Sequence, residues 1–198
     1  MPIRFSTAVL VLALTLPAQA DKAKKFEITK EIQEQLDGWK KTVAGWTTDT
    51  AITAAVVEQN QKGPLEGMDN KKWKALRRRA PEVETFTTNA AAKALQGKAA
   101  ATAGVVSEAF LNAKKGEKVA FLEKTSSYLH AGNAKFDVPF GKLQAWQGEP
   151  EFDESSQTYA VQIAVPVIDP KNDKQAIGVL VVGLNLSQMA ASKPGPTK

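Results

Sequence analysis

Apolar residues recur at Ile28, Ile32, Leu36, Trp39, Val43 and Trp46 with spacings of four and three, and Val57 extends the stripe, while Glu27, Lys30, Glu31, Glu34, Lys40 and Lys41 fill the opposite side. That period predicts one long amphipathic helix over residues 25–58. A rod of this size is roughly 50 Å long, more than the ~30 Å width of a small domain. Its N-terminal part, with Ile28, Ile32 and Leu36 as an apolar seam, is therefore expected to project and to pair with a second copy or a membrane partner, the alternative being that the seam folds back on the domain. Gly38 and Gly45 soften the rod by up to ~1 kcal/mol each.

Gly63, Pro64 and Gly67 mark a loop, after which Asp69 or Asn70 can cap a short helix over residues 71–79. Pro81 suits the first turn of another helix reaching Leu95. The run Arg77-Arg78-Arg79 reads either as a solvated helix end favourable to the dipole or as an anion site.

From Thr102 the period changes to that of strands. Residues 104–111 and 118–122 flank a Lys114-Lys115-Gly116 turn and predict a hairpin, and three more strands are predicted at 143–148, 158–168 and 176–186. Turns fall at residues 153–156 and 169–173. Tyr159, Val161, Ile163, Val165 and Val167 share one parity, whereas the other holds Gln162 with small Ala160 and Ala164. The last strand is apolar at both parities, with Ile177, Val179 and Val181 on one face and Leu180, Val182 and Leu184 on the other, which predicts a central strand covered on both sides.

Composition narrows the class. Arg4, the apolar run 8–16 and the small-residue site Ala18-Gln19-Ala20 read as an export leader cleaved after Ala20, with an uncleaved anchor as the competitor. Removing it lowers the net charge from +5 to +4 and leaves about 178 residues, one domain's worth, with the domain expected over residues 21–189 and a tail beyond it. The Lys193-Pro194-Gly195-Pro196 stretch predicts a disordered tail over 190–198. A periplasmic destination disfavours a nucleic-acid partner. The chain has no Cys and one His, His130, which removes disulfides, thiolate catalysis, Cys-ligated zinc and any choice of triad partner. No enzyme, metal or cofactor is expected.

Residues 105–187 resemble a Cache domain, the PAS-like extracytoplasmic sensor module of bacterial chemoreceptors and sensor kinases. The likeness is carried by Val106-Ser107-Glu108-Ala109-Phe110-Leu111 with Gly116 and Val119-Ala120, by residues 124–132, and by residues 152–156, 161–169 and 177–180, in that order and spacing. It implies an α+β fold in which a long N-terminal helix packs on a five-stranded antiparallel sheet of order 2-1-5-4-3. It also implies a ligand over the sheet's other face, beneath residues 123–144. Where the amino-acid-binding version of the family has Arg-x-Trp-Tyr and a last-strand Asp, this chain has Lys135-Phe136 and Asn185. The carboxylate that would hold an α-ammonium group is missing.

Ser126, Tyr128, His130, Lys135, Lys142 and Trp146 lie in or beside the segment that the resemblance makes a lid. They combine aromatic walls with cations suited to a carboxylate or other small anion. For Tyr128 and Trp146 the alternative is core packing, for the lysines a solvated surface, and for His130 a loop surface. The expected function is a stand-alone exported sensor module that binds a small molecule and signals through a membrane receptor or kinase. The alternative is a ligand-free accessory protein of the cell envelope with the same fold.

Overall fold

The computed structural model describes residues 26–153 and 158–191. The leader, its cleavage site, most of the 153–156 turn and the tail from residue 192 lie outside the described residues. Ala190 and Ala191, expected in the tail, close a helix instead.

The expected single rod is two helices. Thr29 accepts a hydrogen bond from Ile32 N and starts α1 (Lys30–Trp46). Asp49 accepts from Ala51 N and starts α2 (Thr50–Lys62), so the chain turns at Thr47–Asp49. The apolar stripe runs through that turn nearly in phase, which hides it from periodicity. Leu36 and Val43 are fully buried, and Ile28, Ile32 and Trp39 pack on the same core. The seam expected to project thus packs on the chain's own core, with Leu36 fully and Ile28 and Ile32 partly buried there.

After the loop, Asp69 caps α3 (Asn70–Ala75), which ends before the arginines, so Arg77–Arg79 lie in the following turn rather than on a helix end. The helix expected from Pro81 is also two, α4 (Pro81–Thr88) and α5 (Ala90–Ala100), separated by Asn89, whose side chain accepts from Ala92 N. An internal Asn that bonds forward in this way ends one helix by capping the next.

Strands β1 (Val106–Ala113) and β2 (Lys118–Phe121) form the predicted hairpin. Helix α6 (Ala134–Lys142) follows, then β3 (Trp146–Gln147), β4 (Glu151–Asp153), β5 (Thr158–Asp169), β6 (Asn172–Asn185) and α7 (Leu186–Ala191). The sheet is antiparallel with order β2-β1-β6-β5-β3, and β4 also pairs β5. The strand predicted over 143–148 is shortened to β3, and β4 is an additional short strand beyond it; with β3 and β4 taken together the order is the expected 2-1-5-4-3.

Each face of β6 carries its own apolar layer. Leu180, Val182 and Leu184 join Leu111, Val161, Ile163 and Val165 against the helical layer that includes Leu36, Val43, Ile52, Val56 and Leu95. Val179 and Val181 join Phe110 and Ala164 in a second layer with Trp73, Phe86, Phe121, Tyr128 and Phe136. Ile177, grouped by parity with Val179, packs in the first layer instead. It sits at a bulge, where Val167 pairs with Gly178 and Ile168 with Ala176. Gly178 lets β1 and α2 approach closely, since a Cβ there would overlap the Asn112 carbonyl oxygen and stand 2.9 Å from Val56 Cγ1. Among the described residues no helix is long and apolar enough to cross a membrane.

Candidate ligand-binding site

The segment between β2 and α6 is fastened over the second apolar layer. Trp73 Nε1 donates to the Thr125 carbonyl at 2.9 Å, and Asn70 Oδ1 accepts from both Tyr128 N and Leu129 N at 2.8 Å. His130 N donates to the Gly116 carbonyl at 2.8 Å. At Gly116 φ is +81°, and any Cβ would overlap Ala131 N, so only glycine brings the β1–β2 turn this close. Phe136 on α6 then enters the layer with Phe140 stacked on it at 5.1 Å.

The alternation of β1 puts Glu108, Phe110 and Asn112 on this face, and the other parity of β5 adds Gln162 and Ala164. Basic groups surround the Phe110 ring. Lys118 Nζ sits 3.4 Å from its centroid, the His130 ring 4.8 Å and Lys135 Nζ 6.0 Å. Lys135 donates to Gln162 Oε1 at 2.6 Å, and Gln162 Nε2 donates to Glu108 Oε2 at 2.7 Å, which makes a polar strap from α6 to β5 to β1.

Lys118 is 0% exposed, yet its Nζ finds no hydrogen-bond partner among the described residues, nor do His130 Nδ1 and the two side-chain polar atoms of Asn112. A buried donor or acceptor left unpaired costs about 1–3 kcal/mol, and a charged one more. Burial accordingly pushes the Lys118 ammonium well below its usual range, against the pull of Glu108 and helped by Lys135. Burial, then the like charges of Lys118 and Lys135, bring His130 down to about 3.

Of the residues expected in the site, His130 and Lys135 are brought together here. Trp146 is half-buried at the border of the layer, on β3 opposite Ala164. Tyr128 is core: it is 0% exposed, packs 5.3 Å from Trp73, and its hydroxyl accepts from Leu65 N at 2.8 Å. Ser126 and Lys142 are exposed. Asn185 caps α7, its Oδ1 accepting from Ser187 N and Gln188 N at 3.0 Å. Sequence reasoning missed Glu108, Asn112, Lys118 and Gln162. The available signal was the shared parity of Glu108, Phe110 and Asn112, and a Lys opening an otherwise apolar strand.

A groove of about 1050 Å³ lies on the helical side, between the α1–α2 corner and β5, where Ala44, Val57, Leu143, Val165 and Ile168 line it. Two of its charged lining groups already have partners, Lys40 in Asp37 and Glu58 in Lys62. The unpaired buried polar atoms lie at the Phe110 cluster, and none belongs to the residues that line this groove.

No family model matches the chain, and no curated protein sequence matches it. Solved structures do. The fold is that of Cache-type sensor domains. The ligand-binding domain of the amino-acid chemoreceptor PctC from Pseudomonas aeruginosa, in complex with GABA, is 13% identical with a TM-score of 0.50, covering 81% of this chain and 58% of that one. The sensor domain of the Vibrio cholerae histidine kinase DctB is 17% identical with a TM-score of 0.42, covering 84% and 59%. The ligand-binding domain of the Campylobacter jejuni chemoreceptor Tlp3, in complex with 4-methylisoleucine, is 13% identical with a TM-score of 0.42, covering 82% and 59%. The chain thus spans less than two thirds of the length of each.

Proposed function

We propose that the chain is an exported, periplasmic sensor module that binds a small organic carboxylate or other small anion beneath α6 and signals through a membrane receptor or kinase partner. The observation that carries this reading is Lys118, buried with no hydrogen-bond partner among the described residues, beside His130, Lys135 and Asn112. An anion there would satisfy donors that the described residues leave open. Lys118 and Lys135 supply the charge, Asn112 an amide that both donates and accepts, and Phe110 and Trp146 the apolar floor and edge. The accessory-protein reading draws on the packing of Phe136 and Phe140, which fill part of the same layer.

A thermal-shift panel of small mono- and dicarboxylates decides between them. Pairing a carboxylate with a buried Lys contributes about 1.5–3 kcal/mol, roughly ten- to a hundredfold in affinity. The melting temperature is expected to rise with at least one acid, to rise less for Lys118→Met and Lys135→Ala, and to respond normally for exposed Lys142→Ala. No response to any acid, or one indifferent to Lys118, supports the accessory protein.

A further inference from the structure

We infer that the site beneath α6 takes its anion together with a proton, so that ligand affinity rises as the medium acidifies. This rests on the sensor reading above and concerns regulation of the same site. Lys118, His130 and Lys135 crowd one phenyl ring, and of their ring and ammonium nitrogens Lys118 Nζ and His130 Nδ1 have no hydrogen-bond partner among the described residues. Glu108, the carboxylate that acts on Lys118, is already held by Gln162. Burial first, and the like charge of Lys135 after it, depress Lys118, and burial followed by Lys118 and Lys135 depresses His130.

An arriving carboxylate reverses the cause. It brings the missing opposite charge and acceptor oxygens, so Lys118 gains a proton from solvent as the anion binds. One N–H bond forms on Nζ, no bond to carbon changes, and the product is an ammonium–carboxylate pair.

The neighbouring charges leave Lys118 as the natural acceptor. On α6, Asp137 accepts from Gly132 N and is exposed. Glu117 accepts from Lys115 N, and its charge acts on Tyr128. Of the helices touching β2, α2 carries Glu58 and Lys62, α4 carries Glu82 and Glu84, and α5 carries Lys93, all exposed, while Lys98 on α5 pairs with Asp49 at 3.0 Å. On α3, Lys71, Lys72 and Lys74 are exposed, as are Asp173 and Lys174 at the start of β6.

Calorimetric titration of the exported chain with acetate, lactate and succinate, between about pH 5.5 and 8 and in two buffers of different ionisation heat, counts the protons. The expected result is proton uptake on binding, of at most one proton per anion, with affinity falling as pH rises by no more than about tenfold per pH unit. Lys118→Met is expected to abolish the uptake and to weaken binding about tenfold or more. Binding without buffer dependence overturns the inference and leaves the sensor reading standing. Uptake undiminished in Lys118→Met overturns the assignment to Lys118. Failure of all three anions to bind at millimolar concentration overturns both.

Discussion

Leu180→Asp leaves the chain unfolded at room temperature. Leu180 is 0% exposed in β6, flanked by Leu111 on β1 and Val165 on β5, and it faces the layer of α1 and α2. The change removes a buried leucine, worth about 2–5 kcal/mol. It also places a carboxylate where the surrounding side chains are apolar, at a further cost of several kcal/mol. Against a total stability of about 5–15 kcal/mol for an ordinary domain, the sum exceeds what the fold can lose. The helical face is the informative one, because a carboxylate on the other face would stand near Lys118. Circular dichroism and a urea titration check the result, and a cooperative transition within about 1 kcal/mol of wild type would refute the sheet's two-layer packing.

The second large effect is acid lability beginning well above the range of ordinary carboxylates. His130 is 5% exposed and titrates at about 3 in the folded chain against 6.5 when free, so the unfolded state binds the extra proton between those values. Stability therefore falls as pH drops below about 6.5, by roughly 1.4 kcal/mol per unit and at most about 5 kcal/mol near pH 3. Lys118 acts with the same sign at pH values below that of a free lysine. Its folded value lies below its free one, so its contribution grows as pH rises toward the free lysine value. Asp37 and Asp49, held low by hydrogen bonds from Lys40 and Lys98, add acid sensitivity only where free carboxylates titrate, near pH 4 and below. Urea midpoints of wild type and His130→Gln between about pH 7 and 4.5 separate the two sources. The wild type is expected to weaken across this window more steeply than the variant, in which the Lys118 contribution remains, and equal slopes would mean that His130 is not buried as described.

The sheet was legible in the sequence because burial imposes parity. Val161, Ile163, Val165 and Val167 announce a one-sided apolar strand, and the double-sided run from Val179 to Leu184 announces the centre. The helices were legible as faces but not as segments. The breaks at Thr47–Asp49 and Asn89 are made by single side chains that cap the next helix, and the hydrophobic period passes through both. The site was half legible. His130 stood out as the one imidazole and Lys135 as a cation in the segment that the resemblance makes a lid, but Lys118 at a strand start reads as a solvated end unless the hairpin is known to be roofed by residues 122–142. Tyr128 shows the converse: its place in the lid marked it for a ligand, and the spatial nearness of Trp73, Phe86 and Leu65 N makes it core.

Native mass spectrometry of the chain recovered from its exported form, wild type beside Lys118→Met, tests the ligand site most directly. The account predicts a small acidic compound retained by the wild type and lost from a folded Lys118→Met. Bare protein in both samples, or a compound held equally by both, would contradict it.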